Sequence, residues 1–236
     1  MIKTEKICKS FKNGKLETQV LFDIGLEIAR GEFVAIMGAS GCGKSTLMHL
    51  LGLMLTPTSG QIQLAGQEVA ALSEAQRATI RREKIGFVFQ RFNLLPTVSA
   101  RQNLTIAERI RGRALDGQID KALAAVEMLE KADHKPNQLS IGQQQRIAIA
   151  RAICHEPQIV LADEPTGCLD SRNATRILEI LRQIHQRQRV TIVMITHSLE
   201  SARWADRIIT MADGRIQLRS EAQAEAGPEN ILKIHA

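Results

Sequence analysis

Short runs of apolar, often β-branched residues alternate along the chain with longer segments in which apolar side chains recur every three or four positions. A period of two marks a strand and a period near 3.6 a helix. Strands are predicted at 2–7, 20–28, 33–37, 61–64, 85–89, 159–162, 191–195 and 208–211. Alternation of such strands with helices predicts an α/β fold with a mostly parallel sheet, the first strands forming an antiparallel β flank. Asp213-Gly214, between 208–211 and 215–218, is a hairpin signal that ends the sheet on an antiparallel edge. From Arg91 to Pro157 the strand signal vanishes, and helical stretches follow at 100–110, 116–131 and 142–155. That stretch reads as an inserted helical sub-domain. One domain is therefore expected over 1–218, with a core of 1–90 and 158–218 and the insertion at about 91–157. Residues 219–236, which contain Gly-Pro and lose periodicity, read as a tail.

Composition narrows the function classes. Hydrophobic residues at 44% and charged residues at 24% supply a full core, which excludes a disordered chain. There is no tyrosine, and Trp204 stands with only six phenylalanines, so a base-stacking platform is poorly supplied. The net charge of +6 is spread along the chain and reads as a solvated surface; no nucleic-acid partner is expected. No secretory h-region follows Met1, and no apolar run approaches the roughly 20 residues of a membrane span, so the protein is expected in the cytosol. Cys8, Cys42, Cys154 and Cys168 lack metal-type spacing and are expected as reduced thiols.

Gly38-Ala39-Ser40-Gly41-Cys42-Gly43-Lys44-Ser45-Thr46 follows the run Phe33 to Met37 and precedes a helical segment. Strand, glycine-rich loop and helix are the context of a phosphate-binding P-loop. The glycines let backbone N–H groups converge on phosphate oxygens, and the helix N-terminus adds partial positive charge. Lys44 is then placed for the β and γ phosphates of a nucleotide and the Ser45 hydroxyl for Mg²⁺. Downstream, Ile159-Val160-Leu161-Ala162 delivers Asp163 and Glu164 to the C-terminal end of a strand, where ligands bind in open α/β sheets. Seen alone, such a pair reads as solvated carboxylates. Below a P-loop, Asp163 is a candidate Mg²⁺ ligand and Glu164 a candidate base for the attacking water.

Leu139-Ser140-Ile141-Gly142-Gln143-Gln144-Gln145-Arg146 resembles the signature of ABC ATPases, and the remaining motifs of that family occur in order over roughly residues 1–218. Gln90 looks like the Q-loop glutamine, Cys168-Leu169-Asp170 like the D-loop, and His197 like the switch histidine. Taken singly, Gln90 could cap a strand end, His197 could be a surface residue and Asp170 a helix cap. The resemblance implies two cassettes dimerising head to tail, so that Ser140, Gly142, Gln143 and Asp170 of one copy face the P-loop of the other across ATP. It implies Gln90 beside Mg²⁺ or the attacking water, His197 on the γ-phosphate, and catalytic roles for Glu164, His197 and Lys44. Phe11 matches the position where the family stacks an aromatic ring on adenine, the other reading being a core phenylalanine. The segment 90–96 is where relatives receive their membrane subunit.

Two positions depart from the family pattern. Ile141 stands where glycine is usual: a left-handed backbone there would strain it, whereas a helical one would cost little. Cys168 replaces the asparagine, serine or alanine common in the D-loop. Cys42 within the P-loop is commonplace, and its thiol makes alkylation sensitivity an expectation.

Residues 38–48, 87–95 and 162–167 look most like the lipoprotein-release and macrolide-export branch. That resemblance implies an ATPase peripheral on the inner face of the cell membrane and driving a separate permease, for export or mechanotransmission. A cell-division cassette regulating cell-wall hydrolases, a weakly hydrolysing nucleotide-dependent regulator and a DNA-repair or translation ATPase are the competing expectations.

Overall fold

The computed structural model describes residues 1–14, 16–112 and 117–217. The expected tail, Leu218 and Asp116 lie outside the described residues. A long hairpin opens the chain: β1 (Ile2–Asn13) and β2 (Leu16–Ile28) pair antiparallel, with register shifts near Lys6 and Asp23, both at positive φ. The strands run well beyond the predicted 2–7 and 20–28. Residues 9–19 are mostly polar and show no alternation, so main-chain pairing rather than a buried face extends the hairpin. β1 also pairs with β4 (Ser59–Leu64), which carries β5 (Gln67–Glu68), giving a four-stranded antiparallel sheet in the order β2-β1-β4-β5.

Between these strands lie β3 (Phe33–Gly38) and α1 (Lys44–Leu51). The chain then runs through α2 (Glu74–Lys84), β6 (Ile85–Val88), α3 (Ala100–Arg111), α4 (Gln118–Ala125) and α5 (Ile141–Ile153). It finishes with β7 (Ile159–Asp163), α6 (Ser171–Gln188), β8 (Thr191–Thr196), α7 (Leu199–Ala202), β9 (Arg207–Ala212) and β10 (Arg215–Gln217). The second sheet has the order β10-β9-β3-β8-β7-β6, parallel except for the β9–β10 hairpin at Asp213-Gly214.

Strand period explains how one sheet serves two cores. In β3, Phe33 and Ala35 join the core shared with α3 to α6, while Val34 and Ile36 join the core shared with α1 and the antiparallel sheet. β7 does the same with Val160 and Ala162 against Ile159 and Leu161, and β8 with Ile192 and Met194 against Val193 and Ile195. The inner positions of these strands are apolar on both sides because both of their faces are covered. The α/β fold with a mostly parallel sheet, an antiparallel flank and inserted helices is the one expected.

The C-terminal hairpin does more than end the sheet. The Gly214 amide donates to the Cys42 carbonyl at 3.1 Å, and its own carbonyl accepts from the Phe22 amide at 2.9 Å. Gly214, at φ 71, also packs so closely on Val20 that a Cβ would not fit. It thus ties the loop before α1 to the antiparallel sheet.

Candidate nucleotide site

β3, β7 and β8 end side by side, and a cavity of about 570 Å³ opens at their C-terminal ends. Its wall includes Ser40, Gly41, Gly43, Lys44, Ser45 and Thr46 from the glycine-rich loop, Asp163 and Glu164 after β7, and His197 after β8. Gln90, just beyond β6, completes the polar lining. Val20 and Ile195 supply the apolar part.

The loop is built for an anion. Gly41 and Gly43 take φ 82 and 100, a region that other residues enter only at a cost, and this turns the chain sharply into α1. α1 starts without any side-chain cap, so the amides of its first turn have no partner from a side chain. Lys44 is 8% exposed, and its Nζ donates to the Gly38 carbonyl at 2.9 Å and the Ala39 carbonyl at 2.8 Å. An ammonium is therefore held inside the loop, with Gly38, Ala39 and Cys42 packed behind it instead of on the cavity wall.

Across the cavity, burial raises the Asp163 pKa above the ordinary carboxylate range, and the neighbouring Glu164 raises it further. His49, one turn into α1, and Lys44 pull it back. A hard cation would relieve this pair, and Ser45, Asp163 and Gln90 offer the oxygen ligands Mg²⁺ takes, so the residues present fit that ion. Glu164 sits at φ 44, strained for a non-glycine residue, with its side chain 13% exposed. Its Oε1 lies 2.9 Å from His197 Nδ1.

The other sequence candidates lie off this wall. Phe11 is on β1 opposite Thr18, 41% exposed, with Lys9 Nζ 5.0 Å from its ring centre. Ser140 caps α5 in a capping box: its Oγ accepts from the Gln143 amide at 3.2 Å, and Gln143 Oε1 accepts from the Ser140 amide at 2.9 Å. Ile141 is the first residue of that helix and has no positive φ, so it costs the backbone little. Gly142 is required for another reason: a Cβ there would lie 2.7 Å from Asn173 Oδ1. Asn173 is fixed in turn by Asp170, which caps α6 through the Asn173 amide at 2.9 Å. A second cavity, of about 540 Å³, is lined by Gln90 to Leu94, Pro96, Pro136, Asn137, Ile141, Gln144 and Cys168. Gln90 borders both cavities.

Sequence reasoning missed Val20, Ile195 and His49. The first two are ordinary strand residues with no chemical signal, whereas His49, four positions after Ser45 on a helix, was open to discovery.

Comparison with known proteins agrees with this geometry. The profile of the family described as ABC transporter matches residues 21–167. The macrolide export ATP-binding/permease protein MacB of Brucella abortus (strain 2308) is 46% identical over 238 residues, covering 100% of this chain. The chain spans only 37% of that relative's length. The lipoprotein-releasing system ATP-binding protein LolD of Xylella fastidiosa (strain Temecula1) is 40% identical over 94% of each chain. A solved dimeric structure of the ATP-binding cassette MJ0796, in a post-hydrolysis state bound to ADP and Pi, superposes with a TM-score of 0.85 at 38% identity, covering 93% of this chain and 98% of that one. Together these matches establish that the chain belongs to the ABC transporter family, as an ATP-binding cassette and ATPase.

Proposed function

We propose that the chain works as the ATP-driven motor of a membrane permease, closing on a second copy of itself when ATP binds and reopening after hydrolysis. The observation that carries this reading is the single cavity shared by Lys44, Ser45, Gln90, Asp163, Glu164 and His197. In this reading Lys44 and the amides of the Gly38 to Thr46 loop hold the β and γ phosphates. Ser45, Asp163 and Gln90 would hold Mg²⁺, which when bound neutralises charge on the phosphate oxygens. Glu164, fixed by His197, accepts the proton of the attacking water, and His197 hydrogen-bonds the γ-phosphate.

Ser140, Gly142, Gln143 and Asp170 have no place on their own chain's cavity wall, which supports a role toward the nucleotide of a second copy. The first-turn amides of α5, at Ile141 and Gly142, would supply the anion contact. The second cavity, around 90–96, is the surface that fits a permease, and Phe11 remains the proposed adenine platform. No helix among the described residues is long and apolar enough to cross a membrane. We take the cassette to be cytoplasmic and peripheral on the inner face of the membrane, with export or mechanotransmission of the macrolide-export or lipoprotein-release type. The helical backbone at Ile141 weighs against an impaired regulator.

Steady-state Mg-ATPase activity of the purified chain tests this. Turnover per chain is expected to rise with protein concentration, Ile141→Gly to stay within about two-fold of wild type, and Glu164→Gln to lose about 10²-fold and accumulate ATP-bound dimers. Unchanged turnover in Glu164→Gln would remove Glu164 as the base.

A further inference from the structure

The segment after Gln90 is gripped by two side chains that take no part in the nucleotide cavity. Arg151, near the end of α5, points both terminal nitrogens at it: Nη2 donates to the Phe92 carbonyl at 2.7 Å and Nη1 to the Asn93 carbonyl at 2.5 Å. Asn93 takes φ 50, a left-handed backbone that asparagine tolerates better than most residues. Two positions on, Asn103 of α3, only 2% exposed, accepts from the Leu95 amide at 2.8 Å and donates to the Leu95 carbonyl at 3.2 Å. Leu94 packs on the core that α3 and α5 share. Residues 92–95 are thereby fastened to the helices, while Gln90 reaches into both cavities.

Arg151 belongs to the helix that Ser140 caps, about 16 Å along the axis from that cap at 1.5 Å per residue. From Ile147 to Ile153 this helix is largely buried, and close-packed interiors transmit strain. A guanidinium forked onto two carbonyls is a directional, charge-assisted joint, which a lysine cannot reproduce.

We infer that Arg151 is a positioning residue that locks the Phe92 and Asn93 carbonyls to α5, so that displacement at Gln90 moves the Ser140 end of the helix. The inference rests on the cassette reading and adds a mechanical link between the two cavities. Gln90 senses the nucleotide or a partner in the second cavity, Arg151 carries the movement, and the amides at Ile141 and Gly142 deliver it to the other copy.

The test compares full-length wild type with Arg151→Lys and Arg151→Gln by Mg-ATPase kinetics and by hydrogen exchange read by mass spectrometry. Both Arg151 variants are expected to leave the KM for ATP within about two-fold and to lower kcat about 10-fold. Amides of 91–95 should exchange about 10-fold faster, while those of 141–153 keep wild-type protection. In a Glu164→Gln background, ATP should protect 91–95 and 140–144 together, and Arg151→Lys should leave 91–95 unresponsive. Unchanged kcat and coupled protection in both Arg151 variants would overturn the link. So would protection lost along the whole of α5, which marks a residue that only supports the fold. Absence of Mg-ATPase from wild type would defeat the cassette reading instead, and the nucleotide-free exchange of 91–95 would still decide whether Arg151 holds the loop.

Discussion

Asp163 occupies a place that serves an ionised carboxylate poorly. Burial and Glu164 raise its pKa, so the native chain keeps this proton to higher pH than the unfolded chain does. The stability cost is absent below the ordinary aspartate range, grows as pH rises toward the folded value and is complete above it. Asp163→Asn is therefore expected to raise the melting temperature of the nucleotide-free chain by a few degrees at about pH 7.5, by less at about pH 4, and to abolish Mg-ATPase activity. Thermal melts at the two pH values check the sign. The cysteines separate on similar grounds. Burial, and then Glu108, push the Cys154 thiol up to about 12, whereas Cys168 is exposed. Iodoacetamide at about pH 8 should modify Cys168 and spare Cys154, as peptide mass spectrometry would read; equal labelling would contradict the packing around Cys154. The placement of Lys44, Asp163 and Glu164 on one cavity wall was legible because each sits within a few residues of a glycine turn or a strand end. The strain at Glu164, φ 44, was not legible, since nothing in the residue types around it marks a left-handed backbone.

Helices α5 and α6 meet where a glycine faces an asparagine. Adding one methyl at Gly142 places it 2.7 Å from Asn173 Oδ1, and that amide is fixed by Asp170. Gly142→Ala is expected to destabilise the chain by about 1–3 kcal/mol despite alanine's better helix propensity, and Asn173→Ala in the same chain should recover much of the loss. Denaturant melts of the two single variants and the double variant measure the coupling. The helix α6 was itself open to the sequence. Asp170 caps it, and Ile177, Leu178, Ile180, Leu181 and Ile184 form its buried stripe, a cap and a period both written in the sequence. α2 was harder. Only Ile80 of its eleven residues is buried, and the usable signal was the capping box of Ser73 and Gln76. The outer halves of β1 and β2 gave no signal, because a hairpin of polar residues held by main-chain bonds leaves no hydrophobic period.

For the whole molecule, the two cores are joined through the strands that carry the site, so a ligand in the cavity braces both. ATP with Mg²⁺ at about 100 times its dissociation constant should add about 2.7 kcal/mol to stability, or about 5–10 °C for a chain of this size. Lys44→Ala should abolish that shift, and differential scanning fluorimetry reads both. Fold class was legible because apolar strand runs alternate with helical segments on both sides of the helical stretch 91–157. The cavity wall was only half legible, since Val20 and Ile195 reach it through sheet pairing.

The brace at Gly214 has a consequence for how the protein is made. The nucleotide loop leaves the ribosome early, yet the amide that secures the Cys42 carbonyl comes from the last described hairpin. At 5–20 residues per second, about 10–30 s of synthesis separate the two. A nascent chain is thus expected to carry an unfinished loop through most of its synthesis. Chains stalled before residue 213 should fail to retain ATP on an immobilised analogue, while chains stalled far enough downstream to release Gly214 from the ribosome should retain it, so the cassette becomes able to hold its fuel only as the hairpin closes.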